Sequence, residues 1–147
     1  VGADDQVGVL HLVERRDVVL ELDAHAQALD LLRLRASTRL FRLASGHEIR
    51  TKLTFPVSNT AHQIPGVIVM RIDDSVGEPS QHEWSSLVAV FNATPLPARL
   101  AVPGLDRRHV LHPVQARGHD VVVKGARVDG EWARVPARSY AVFVRPW

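Results

Sequence analysis

Residues 66–72 read GVIVMRI, residues 86–92 read SLVAVFN, and residues 139–145 read SYAVFVR. Each run is rich in β-branched and aromatic residues and is bounded by Gly, Pro, Asn or Asp, the composition of a strand rather than a helix. Working outward, further runs of this kind are EIRTKLTF (48–55), ARLAV (98–102), HVLHPV (109–114), DVVVK (120–124) and ARVDGEWARV (126–135). Pro65-Gly66, Pro95, Pro97, Pro103-Gly104, Gly118, Gly125 and Pro136 keep the runs short. Short strands at this spacing predict an all-β sandwich or barrel. Asp129-Gly130 predicts a two-residue hairpin turn inside 126–135, because glycine tolerates the positive φ such turns demand. The polar stretch DDSVGEPSQHEWS (73–85) predicts a loop.

One segment follows a different period. After Asp23, a candidate N-cap, Leu29, Leu32 and Ala36 fall at i, i+3 and i+7, and Leu31 and Leu34 widen the stripe. This predicts a helix over 25–37 that ends near Ser37 and Thr38. Upstream, VGVLHLV (7–13) and VVLELD (18–23) flank the polar ERRD and predict a short hairpin. The expected organisation is an N-terminal segment, 1–24, followed by one domain, 25–147, that includes the leading helix.

With 147 residues, 46% apolar and 23% charged, the chain has material for one ordinary core. No apolar run approaches the ~18 residues of a membrane span, so a membrane partner is not expected. The absence of cysteine excludes disulfides, thiolate nucleophiles and cysteine-ligated metals. Net charge is only +2, yet the isoelectric point is about 9.7, because 16 of the 18 basic residues are arginine. These arginines are interleaved with 16 acids, whereas a nucleic-acid binder clusters them, so no nucleic-acid partner is expected either. The chain begins at Val1 without a signal-peptide pattern, and it reads as part of something longer whose compartment the sequence does not assign.

Four blocks carry a family likeness: LLRLRASTRLFRL (31–43), QIPGVIVMRIDD (63–74), LVAVFNATP (87–95) and VPARSYAVFVRP (135–146). Together, over roughly residues 28–147, they resemble the C-terminal β-sandwich domain of pullulanase-type α-1,6-glucosidases. These are starch-debranching members of the α-amylase superfamily, glycoside hydrolase family 13. Members usually carry proline where this chain has Thr38-Arg39-Leu40, and residues 1–24 lie outside the likeness. The resemblance implies a two-sheet antiparallel Greek-key sandwich of seven or eight strands preceded by one helix. It also implies that the catalytic carboxylates belong to a (β/α)8 barrel upstream, so none is assigned to this chain. The barrel of the parent enzyme is then the expected partner. No cofactor is expected here, with calcium left to the parent.

The residues themselves offer few chemical sites. A glycosidase needs two carboxylates flanking one bond, but the adjacent pairs Asp4-Asp5 and Asp73-Asp74 point to opposite sides of an extended chain. Asp73-Asp74 reads as a pair of solvated turn carboxylates, the alternative being a calcium site with Glu78 or Glu83. His109 and His112, three apart on a predicted strand, face opposite sides and read as edge histidines, while His119-Asp120 reads as a turn. Ser139 has no G-x-S-x-G elbow around it, and no phosphate-binding loop is present. Trp84, Trp132 and Trp147 fall at positions expected to be partly exposed. Trp84 and Trp132 are the candidates for stacking on an α-glucan, as a starch-binding module would use them. Leu31, Leu34, Leu40, Phe41 and Leu43 form a candidate apolar seam for docking against the barrel.

Overall fold

A strand that is apolar on both faces needs cover on both sides, and the chain supplies it with two different layers. The computed structural model describes residues 23–147, so the hairpin predicted at 7–23 lies outside the described residues. In order, the elements are α1 (23–37), a 3-10 turn (Arg39–Arg42), α2 (Gly46–Lys52), β1 (Leu53–Thr54), β2 (Val67–Asp73) and β3 (Trp84–Asn92). There follow β4 (Ala98–Ala101), β5 (Val110–Leu111), α3 (Pro113–Arg117), a second 3-10 turn (Val123–Gly125), β6 (Arg127–Asp129), β7 (Trp132–Val135) and β8 (Ser139–Pro146). One antiparallel sheet has the order β1-β2-β3-β8-β5 and the other β4-β7-β6. The expected all-β, two-sheet antiparallel sandwich with one leading helix is therefore the observed architecture.

The core has two compartments. Between the sheets, Val69, Val88, Val90 and Phe143 meet Leu100, Ala133 and Val135. On the outer side of the larger sheet, Leu87, Ala89, Val142 and Val144 meet Leu34 from α1 and Leu40 from the 3-10 turn. Each fully buried leucine or phenylalanine contributes about 1.5–3 kcal/mol of transfer free energy. The departure from the family pattern at Thr38-Arg39-Leu40 is structurally mild. Thr38 caps the 3-10 turn by accepting from Leu40 N–H at 3.2 Å, and Arg39 occupies the first helical position, where proline or any ordinary residue fits.

Three predicted strands are corrected. Residues 48–55 are mostly helical: Ser45 accepts from Glu48 N–H at 3.1 Å while Glu48 accepts from Ser45 N–H at 3.1 Å, a capping box that starts α2 and leaves only β1 extended. The run 109–114 keeps two strand residues, because Pro113 takes the first position of α3. The run 120–124 is a turn: Asp120 accepts from Val122 and Val123 N–H, and only Val123 of the three valines is buried. The hairpin in 126–135 forms one residue later than predicted, with Gly130-Glu131 as the central pair and Gly130 at φ +62°. Asp23 is itself helical rather than a cap.

The pair Asp73-Asp74 is not solvated. Asp74 is fully buried and accepts from the equally buried Lys52 ammonium at 2.7 Å, from Ser80 Oγ at 2.6 Å and from Ser80 N–H at 3.0 Å. Burial works to raise its pKa, but the hydrogen bonds from Lys52 and Ser80 outweigh it and hold the carboxyl below its ordinary value. This pair clasps the loop after β2 onto the end of α2. Asp73 is half-buried and pairs with Arg71 at 2.6 Å. Asn92 performs the same service at the far end of β3. It donates to Leu96 and Pro136 carbonyls at 2.9 Å and accepts from Thr94 N–H at 3.0 Å.

Removing one member of the buried pair strands the other charge. Asp74→Ala is expected to lower the urea unfolding free energy by about 3–5 kcal/mol, and the double change Lys52→Met with Asp74→Leu to recover most of that. A loss below about 1 kcal/mol for Asp74→Ala is the value of an exposed pair and would contradict this account.

Candidate functional site

Strand register decides which residues share the outer face of the larger sheet. Phe91 of β3 lies opposite Ile68 of β2 on one side and Tyr140 of β8 on the other; Ala89 lies between Met70 and Val142 in the next row. The helix and the 3-10 turn cover the part of this face around Leu87 and Ala89. The row of Phe91 lies beyond that cover: Ile68 is 54% exposed and Phe91 43% exposed. The Phe91 and Tyr140 rings stack with centroids 6.4 Å apart at 23°. From α1, Leu31 and Leu32 are exposed beside them, Leu32 to 63%. Leu31, Leu32, Phe91 and Tyr140 line a groove of about 270 Å³. A second groove of about 510 Å³ is lined by Leu43, Ile49, Met70 and Arg42, and Arg35 and Phe41 line both, so the two form one continuous apolar face.

Of the predicted seam, Leu31, Phe41 and Leu43 lie in these grooves, with Phe41 and Leu43 half-buried. Leu34 and Leu40 also line the grooves, but they are buried by this chain itself and support the face from beneath. Sequence reasoning missed Ile68, Phe91 and Tyr140. The signal was the two-residue alternation in SLVAVFN, which puts Leu87, Ala89 and Phe91 on one side and Ser86, Val88 and Val90 on the other.

The tryptophans do not assemble. Trp84, expected in an exposed loop, is the first residue of β3, 9% exposed, and packs at a 58° tilt on His112. A sugar face cannot reach it. Trp132 lies half-buried in the other sheet with the Arg99 guanidinium 4.0 Å over its ring, a cation–π contact that occupies one face. Trp147 is exposed at the chain's end.

His109 and His112, expected at an edge, are buried, and each has both ring nitrogens within hydrogen-bond reach of a partner. They do face opposite sides. His109 Nε2 approaches Ser86 Oγ at 3.3 Å and its Nδ1 approaches Asp106 Oδ1 at 2.9 Å. These contacts have the order of a catalytic triad, but Ser86 is 0% exposed, so no substrate reaches it and the chain of bonds ties β3 to the turn before β5. His112 Nδ1 accepts from Val114 N–H at 3.2 Å and caps α3. Its Nε2 meets Ser37 Oγ at 3.1 Å, and Ser37 donates its own proton to Leu34 O at 2.7 Å. The neutral ring therefore carries its proton on Nε2. A second proton on Nδ1 would oppose the Val114 N–H. Burial, with Arg117 nearby, lowers His112 to about 4, and burial likewise lowers His109.

The aspartates with displaced acidity all move the same way. Asp30, joined to His119 by backbone and side-chain bonds, falls to about 2. Asp106 also falls to about 2, because His109, the Arg108 N–H and Arg145 outweigh the effect of burial. Asp73 is lowered by Ser75 and Arg71 against burial. Among the described residues no three His, Cys, Asp or Glu side chains converge as metal ligands.

Residues 18–146 match the family described as alpha-1,6-glucosidases, pullulanase-type, C-terminal. The chain belongs to this family. It is 40% identical over 124 residues to Pullulanase 1, chloroplastic, of Arabidopsis thaliana, a match covering 79% of this chain and 13% of that protein. Ligand-free PulA from Klebsiella pneumoniae superimposes with a TM-score of 0.74 at 27% identity, over 84% of this chain and 12% of that one. PulA from Klebsiella oxytoca gives 0.69 at 26% identity, over 80% and 11%. The chain thus spans about an eighth of these relatives. In this pullulanase-type C-terminal domain the blocks that carry the likeness fall on structural positions. Asp74 ends one of them in the buried ion pair, and Asn92 and Thr94 tie down another.

The buried histidines set an acid limit. His112 titrates near 6.5 when unfolded and about 4 when folded, so between those values only the unfolded chain takes the proton. Stability is expected to be full above about pH 6.5, to fall as pH drops toward about 4, and to fall again below 3.8 toward about 2 as Asp30 and Asp106 protonate. His112→Asn keeps a cap acceptor without the titration and should flatten the upper slope in urea melts across pH. An unchanged slope would contradict this assignment.

Proposed function

We propose that this chain is the non-catalytic C-terminal domain of a starch-debranching α-1,6-glucosidase, and that it docks on and stabilises the catalytic (β/α)8 barrel of that enzyme. The observation that carries the reading is the continuous apolar face of Leu31, Leu32, Phe41, Ile68 and Phe91. A soluble domain rarely leaves such a face uncovered without a partner for it. The chemistry of the acids supports the same reading. A glycosidase acid needs a raised pKa, whereas Asp30, Asp73, Asp74 and Asp106 are all held ionised by partners. On this reading the chain needs no cofactor of its own, any calcium belongs to the parent, and neither nucleic acid nor membrane has a role.

The purified chain is expected to release no reducing sugar from pullulan. Measurable turnover by homogeneous material would place catalysis here and sink the proposal. A starch-binding role would rest on Trp132, since Trp84 is buried. Titration with maltooligosaccharides is expected to leave tryptophan fluorescence unchanged. A saturable change that disappears in Trp132→Ala would favour glucan binding instead.

A further inference from the structure

The charge around the apolar face specifies what can cover it; this step rests on the docking reading above. Residues 31–50 hold Arg33, Arg35, Arg39, Arg42 and Arg50 against a single carboxylate, Glu48. Glu48 is occupied by the N–H groups of Ala44 and Ser45 at 2.9 and 3.1 Å, and Arg33 is paired with Asp30 at 2.9 Å. Arg35 and Arg42 line the larger groove and have no carboxylate partner among the described residues. Each instead donates an N–H to a backbone carbonyl across the junction of α1 and the 3-10 turn: Arg35 to Phe41 O at 3.4 Å, Arg42 to Ala36 O at 3.2 Å. A guanidinium has five N–H donors, so one such bond aims the planar fork and leaves the others to a partner.

We propose that the surface covering this face is a protein surface with apolar side chains at its centre and carboxylates at its rim, and that those carboxylates pair with Arg35 and Arg42. An apolar cover alone would strip water from two guanidinium groups and give nothing back, which is costly for unpaired charge. A second copy of this chain is a poor cover, since a two-fold contact sets the same arginines against one another. A lipid bilayer has no protruding side chains to fill grooves of about 270 and 510 Å³.

The test is dye binding to the full chain, using anilinonaphthalene sulfonate as an apolar anion and Nile red as a neutral apolar probe. Arg35→Glu with Arg42→Glu is expected to weaken the sulfonate by at least about tenfold while leaving Nile red unchanged. Arg107→Glu with Arg108→Glu, the same charge change in the turn before β5, should leave both dyes unchanged. Arg35→Gln with Arg42→Gln keeps a side-chain donor at each site and should show the same selective loss if the glutamate pair does not fold. Equal loss in the two glutamate pairs, or none in either, overturns the acidic rim while the docking face stands. Failure of both dyes to bind the unaltered chain overturns the docking face as well. Association with equimolar phosphatidylcholine–phosphatidylglycerol vesicles, abolished by the Arg35 and Arg42 changes, would replace the protein partner with a membrane and overturn the proposal.

Discussion

The structure depends on β3 being buried on both faces. Of its nine residues only Phe91 is exposed, so the strand cannot exist in a sheet that is solvated on one side. One face is closed by the smaller sheet, the usual arrangement of a sandwich. The other is closed by α1 and the 3-10 turn, with Leu34 and Leu40 as the contacts. The helix is thus a third layer of the fold rather than a leader to it. Because that layer is narrower than the sheet, the row of Ile68, Phe91 and Tyr140 is left partly open, and the apolar face proposed for docking follows from this shortfall.

A second constraint concerns the polar groups that such a core must enclose. Lys52 and Asp74 neutralise one another, Asn92 satisfies carbonyls from two loops, and His112 spends both ring nitrogens on α1 and α3. Each is a short-range solution to the same problem: a buried donor or acceptor must be paired. It is telling that the blocks carrying the family likeness include Asp74, Ser37 and Asn92. Their role here is architectural: Asp74 holds the loop after β2, Ser37 meets His112 at the end of α1, and Asn92 ties down the loop after β3.

The long strands were legible because their composition and length leave no helical alternative: GVIVMRI, SLVAVFN and SYAVFVR became β2, β3 and β8. The errors arose where a local hydrogen bond overrode composition. Ser45 and Glu48 turned a predicted strand into α2, Pro113 cut another short, and Asp120 bent three valines into a turn. Burial of polar side chains was the least legible feature, because a sequence shows a charge but not the partner 22 residues away that allows it to be buried. Trp84 was misplaced for a related reason: the polar stretch before it folds around Asp74, which lets β3 begin earlier than its composition suggests. Of the apolar face, the helix and turn residues were visible as a wide apolar stripe. Phe91 and Tyr140 became neighbours only through strand register, which the sequence does not print.

Side-chain oxidation by hydroxyl radicals, compared between this chain alone and the complete debranching enzyme that the account assigns it to, tests the central claim most directly. Leu32, Phe91 and Tyr140 should react readily in the isolated chain and be protected in the enzyme, while Leu96 and Val121, exposed to 70% and 75%, should react equally in both. Equal reactivity of Leu32 and Phe91 in the two samples would contradict the docking account.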